Sequence, residues 1–164
     1  MMHFSEWLAG TNASMTIQEQ LWIIPLMQTI HILAIAMVLS SVGMIDLKIL
    51  GLAGSAHTLL ETSRRFAPWI WTSLIVLLLS GFVLIVGEPV RELGVTVFWI
   101  KMGLLAVAAA STAAFHLSLQ RHAAFWEDSR KARGLIKASA IIVFAVWCAV
   151  VVAGRWIAYS QLSL

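Results

Sequence analysis

Five histidines stand in a chain that is otherwise mostly apolar. One of them, His31, lies within the run Gln28-Thr29-Ile30-His31-Ile32-Leu33-Ala34-Ile35-Ala36. Ionisable groups at membrane depth are expensive and mark function by default. Neutral imidazole is a good iron ligand, and haem b in a helix bundle is held by side chains that project inward. Gln28 is three residues before His31 and shares its helix face. Lys101 and Arg155 suit haem propionates, because charge-assisted hydrogen bonds to carboxylates are the strong ones. Gln28, His31, Lys101 and Arg155 are expected to converge in one layer, and a second set holds His116 with His57 and His122 in the basic links. Met27 or Met102 could serve as a soft axial ligand beside His31, and His3 could fold over it. His31 and His116 are the expected haem-iron ligands. In a straight-helix picture they differ in depth by roughly 15 Å, so two sites, or one haem and one quinone, are easier to build than one shared haem. A quinone headgroup would use His31 with Gln28 beside an apolar tail channel.

Blander roles exist for the same residues. A lone membrane histidine needs only a hydrogen bond to a neighbouring helix, for under about 2 kcal/mol. His57 and His122 would be solvated in their links. Lys101 and Arg155 would snorkel to headgroups. Asp46 with Lys48 reads as a helix end at the interface, and Glu61 with Arg65 as an i,i+4 pair.

The elements that must position these groups are membrane helices. Of the 164 residues, 60% are hydrophobic and 12% charged, against about 25% charged in soluble domains; the mean hydropathy is +0.90. A helix crosses the hydrocarbon core with about 20 apolar residues. Four segments qualify, over about 21–43, 67–87, 95–119 and 138–159, and the backbone must satisfy its own hydrogen bonds there. The expected fold is all-α: a single membrane domain forming a four-helix up-down bundle. Short interfacial helices are expected at the N-terminus, with Phe4, Trp7 and Leu8 on one face, and between spans one and two over Ser55 to Phe66. Pro25 belongs in the first turn of span one. Ala106, Ala108, Ala109, Ala110, Ser111, Ala113 and Ala114 on the third span either let helices approach closely or leave room for a flat cofactor. Trp69, Trp71, Trp99, Trp156 and Tyr159 form an aromatic belt.

Lys and Arg set the direction. Eight lie in the two links that join spans one to two and three to four, two (Arg91 and Arg155) lie on the opposite side, and Lys101 lies within a span. Both termini are therefore expected outside, in a multi-pass protein of a bacterial inner membrane. The net charge of +3 suits lipid headgroups, and no nucleic-acid partner is expected. One cysteine, Cys148, excludes a disulfide framework. MMHFSEWLAG lacks a basic n-region, so no cleaved signal peptide is expected. The chain has neither a nucleotide-binding glycine motif nor a Walker loop, so any chemistry belongs to a bound cofactor.

Gln28-Thr29-x-His31, Asp46-Leu47-Lys48-x-Leu50-Gly51 and Gly154-Arg155-Trp156-Ile157-Ala158-Tyr159 resemble the first and last spans of a group of small bacterial four-helix membrane proteins. More loosely, the plan is similar to membrane b-type cytochromes and to haem-quinone anchor subunits. Those families place paired histidines at matching depths, and His31 has no same-depth histidine partner. The resemblance implies a membrane electron-transfer subunit that binds haem b, with quinone as a further ligand. Its partners would be the lipid bilayer and a redox protein or a second copy of itself. The alternatives are a non-catalytic accessory subunit of a larger complex and a proton or anion transporter component.

Overall fold

The computed structural model describes residues 2–53, 57–122, 126 and 133–159. The described residues are helical, without strands: α1 (Met2–Ala9), α2 (Asn12–Glu19), α3 (Ile23–Leu50), α4 (Leu59–Gly87), α5 (Pro89–Leu93), α6 (Thr96–Arg121) and α7 (Arg133–Tyr159). Four of them, α3, α4, α6 and most of α7, are long and apolar enough to cross a membrane. The chain is a multi-pass, all-α membrane bundle. One end carries α1, α2, α5 and the end of α7; the other carries the long links. They are called the terminal end and the link end below.

Helix boundaries at the link end are set by capping rather than by hydropathy. The expected first span stops at Gly43, but α3 continues to Leu50 and ends where Gly51 adopts φ +79° and returns its N–H to the last turn. That left-handed cap suits glycine. The expected second span begins at Ala67, but α4 begins at Leu59. There the Thr58 hydroxyl accepts from Glu61 N–H (3.1 Å) and the Glu61 carboxylate accepts from Thr58 N–H (2.9 Å), a capping box. The interfacial helix expected between the spans is thus the first two turns of α4, apart from residues 54–56, which lie outside the described residues. Glu61 turns back to this cap, 3.7 Å from His57, rather than forward to Arg65. At 28 residues, α3 is about 42 Å long, longer than the roughly 30 Å hydrocarbon core, so both helices continue past the apolar layer.

The N-terminal expectation holds in outline. The short helices α1 and α2 cover the terminal end, α1 against α5 and α2 against α4. Gln18 Nε2–H donates to Gly87 O (2.9 Å) and to Ser14 Oγ (3.1 Å). Phe4 and Trp7 stack at 5.9 Å and stay exposed. Pro25 falls in the first turn of α3, where no intrahelical bond needs its N–H.

Packing in the bundle is uneven. The closest pair is α3 with α4, then α6 with α7 and α3 with α7, whereas α4 and α6 barely meet. Leu59, Ser63, Ala67, Ile70, Leu74, Leu77 and Ser80 of α4 are buried at steps of three or four residues, the spacing of one helix face. Ala34, Val38, Ser41, Val42 and Ile45 form the matching stripe of α3. The small residues of α6 divide: Ala108 is fully buried, while Ala106, Ala110 and Ala114 are exposed. Trp69, Trp71, Trp99 and Trp156 are exposed, as an aromatic belt requires. Replacing Ala108 with Leu should overpack the interior of α6 and lower stability by about 1–3 kcal/mol. Thermal unfolding in detergent measures this, with the exposed Ala110→Leu as the neutral control.

Candidate functional site

The terminal-end layer is built around His31. Its Nδ1 lies 2.8 Å from Ser80 Oγ on α4. Ser80 has one hydroxyl hydrogen and gives it to Val76 O at 2.7 Å. The ring must therefore supply the hydrogen, and His31 Nδ1–H donates to Ser80 Oγ. This selects the tautomer whose Nε2 carries a lone pair, and Nε2 has no hydrogen-bond partner among the described residues. The ring lies next to position 81 of α4, where a Cβ would stand 3.4 Å from His31 Cε1, an ordinary contact distance.

Lys101 reaches the same layer from α6. Its aliphatic stem and ammonium cross the backbone of α7 at Gly154, where a Cβ would lie 3.5 Å from Cε and 3.6 Å from Nζ. The ammonium acts electrostatically on His31 and on Glu92. No carboxylate among the described residues lies within ion-pair distance of it, and the nearest ion pair is Arg91 with Glu88 at 2.7 Å. Glu92, on α5 outside the spans, is raised above the ordinary carboxylate range by burial, with Glu88 adding to the rise and Lys101 and Arg91 opposing it. Gln28 is exposed on α3 and Met102 on α6. His3 is exposed on α1, and Arg155 is exposed beside Gly154.

The link-end set is arranged differently. His116 bridges α6 and α4: Gln120 Nε2–H donates to His116 Nε2 (2.9 Å), and His116 Nδ1–H donates to Ser63 Oγ (2.9 Å). Both ring nitrogens are engaged. His57 is exposed beside Glu61, and His122 is exposed at the end of α6. Ser63 and Ser80 are seventeen positions apart on α4, about 25 Å along its axis. One iron cannot take both His31 and His116 across that distance. A shared haem b therefore does not fit these two rings, and no group of three or more His, Cys, Asp or Glu suited to a metal exists among the described residues.

Towards the link end, α3, α6 and α7, with Ile70 of α4 and with Trp126, enclose a cavity of about 280 Å³. Asp46 lines it, and its Oδ2 is buried without a hydrogen-bond partner among the described residues. No histidine lines it.

No family model, curated protein or solved structure matches this chain. The site therefore rests on its own geometry. That geometry joins His31 to Ser80 and brings the Lys101 stem against Gly154. It adds Ser80, Ser63, Glu92 and Asp46, which the sequence reading did not place in a site. A signal existed for Asp46, an acidic residue three positions past the apolar run, and it becomes strong only once α3 is seen to continue through it. No sequence signal ties Ser80 or Ser63 to a particular histidine.

Two outcomes test this arrangement. Ser80→Ala should leave Nδ1–H unpaired and cost under about 2 kcal/mol, the scale of interhelical hydrogen bonds in membranes. ¹⁵N NMR of the histidine rings should show His31 as the Nδ1–H tautomer in the wild type and lose that signature in the variant. Glu92 binds its proton more tightly folded than unfolded, so its contribution is present below about pH 4.5, its ordinary value, and is lost as pH rises through the higher folded value. Stability of the wild type relative to Glu92→Gln should therefore fall as pH is raised from 4.5, as read from melting temperatures across that range.

Proposed function

We propose that this chain is a membrane electron-transfer subunit that handles a lipophilic quinol at the terminal end of the bundle. The observation that carries the reading is the open Nε2 lone pair of His31 beside the Lys101 ammonium. A proton acceptor and a fixed cation are what a quinol needs in order to lose a proton in an apolar medium. The quinol hydroxyl donates to His31 Nε2. Lys101 stabilises the negative charge that develops on the ring oxygen. Ser80 holds the imidazole in the accepting tautomer, as a hydrogen bond at the far nitrogen does in general acid–base sites. In this reading Glu92 of α5, raised above its ordinary range by burial, takes protons onward to the aqueous side. Oxidation of one quinol releases two protons and two electrons. The protons leave by this route, and the electrons pass to a partner redox protein.

The charge bias of the links supports termini on the outer side of a bacterial inner membrane, which puts His31 in the outer leaflet and directs its protons outward. Haem b shared by His31 and His116 plays no part in this reading, for the geometric reason given above. The resemblance to haem-quinone anchors contributes the quinone half of its implication.

The test is direct. The purified chain in lipid nanodiscs is titrated with decylubiquinol, and binding is followed by tryptophan fluorescence. Saturable binding is expected. His31→Ala and Lys101→Met should each weaken it about tenfold or more, the effect of losing one hydrogen bond that involves a charged or charge-accepting group. Wild-type affinity in both variants would falsify the reading.

A further inference from the structure

The cavity at the link end is a second site of opposite character. The hydroxyls of its lining are already committed as donors and offer lone pairs. Ser111 Oγ–H donates to Val107 O (2.7 Å), Thr112 Oγ1–H to Ala108 O (2.8 Å) and Ser139 Oγ–H to Ile136 O (2.8 Å). Trp126 Nε1–H donates to Ser118 Oγ at 3.1 Å. Thr112 Oγ1 also accepts from Trp147 Nε1–H. Each hydroxyl hydrogen is thus directed into a helix's own backbone, the usual fate of Ser and Thr within apolar helices. Asp46 Oδ2, buried and unpartnered, is the strongest acceptor present. The remaining walls are aliphatic side chains of α3, α4 and α7, together with Phe115 and Trp126 packed edge to face at 5.0 Å.

Such a lining selects its occupant by elimination. An anion meets a carboxylate and several lone pairs. A carbonyl compound finds no hydrogen to accept. An alcohol supplies one hydrogen but no charge. A primary ammonium supplies up to three N–H donors and the opposite charge, and an aromatic wall favours a cation further. The volume of about 280 Å³ lies just under the range of ligand pockets, about 300–1,000 Å³, which suits a short chain or a single ring. We propose that this cavity binds a small lipophilic ammonium ion, held by Asp46. The site is independent of the His31 layer: it opens at the other end of the bundle and shares no residue with it.

The experiment uses the full chain in phosphatidylcholine nanodiscs, a neutral surface that does not itself collect cations. Benzylamine, benzyl alcohol and benzoate share one ring and differ in head group. Calorimetric titration should show saturable benzylammonium binding at least tenfold tighter than benzyl alcohol, with benzoate not bound. Asp46→Asn should lose at least tenfold in benzylammonium affinity, and His31→Ala should keep it, so that failure of the quinol reading leaves this one standing. Trp126→Phe should abolish the fluorescence response to benzylamine. Equal affinity for benzoate or benzyl alcohol, wild-type affinity in Asp46→Asn, or no saturable benzylammonium binding would each overturn the proposal. Should Asp46→Asn not fold, the three probes on the wild-type chain decide alone.

Discussion

Two serines on one face of α4 hold the polar chemistry of this protein in place. Ser80 takes a histidine from α3, and Ser63 takes one from α6. Inside a bilayer a polar group without a partner costs several kcal/mol, so these bonds decide where each ring can sit. They act on opposite ends of the bundle and to opposite effect. Ser80 occupies one nitrogen of His31 and leaves the other open. Ser63, with Gln120, occupies both nitrogens of His116. One histidine is left chemically available, and the other becomes a crosslink between the two helices that otherwise barely touch.

That crosslink explains the shape of the interior. The pairs α3–α4 and α6–α7 pack closely, and α3 with α7 joins them. The fourth side, α4 against α6, has no comparable stripe of contacts, and the cavity opens next to it, walled mainly by α3, α6 and α7. Asp46 faces into this gap from the last turns of α3. His31 and Asp46 are fifteen positions apart on the same helix, about 22 Å. Between them α3 buries Ala34, Val38, Val42 and Ile45, with Ser41 the one polar residue among the buried ones. The two reactive ends are thus insulated from each other by close-packed apolar side chains, which suits two binding sites better than one continuous proton path.

Glycine has a particular part in the terminal-end layer. The His31 imidazole lies next to Gly81 of α4, and the Lys101 stem lies next to Gly154 of α7. Both are close approaches of a side chain to a neighbouring backbone, and in neither case does the sequence say which side chain will come. Lys101 in particular reads as a residue that would snorkel to the headgroups. It is half-buried, with its stem next to Gly154 of α7. An expected headgroup anchor is thereby part of a polar cluster.

The sequence by itself determined the class of this protein: four apolar stretches long enough to cross a bilayer, helical because lipid supplies no hydrogen bonds to the backbone, packed as short-linked antiparallel neighbours. It also marked His31 and Lys101 as groups that need a reason to be there. Hydropathy is a local property, and these conclusions follow from local properties. Only the tertiary structure decided which polar groups meet. Helix rotation about its own axis is set by side-chain packing against neighbours, and a turn of about 100° per residue carries Gln28 and Met102 to the surface while His31 and Lys101 stay inside. Capping, too, is a matter of a few specific hydrogen bonds, and it extended α3 through Asp46 beyond the end of the apolar run. Where each lone pair points, and whether anything answers it, is a property of helices in contact.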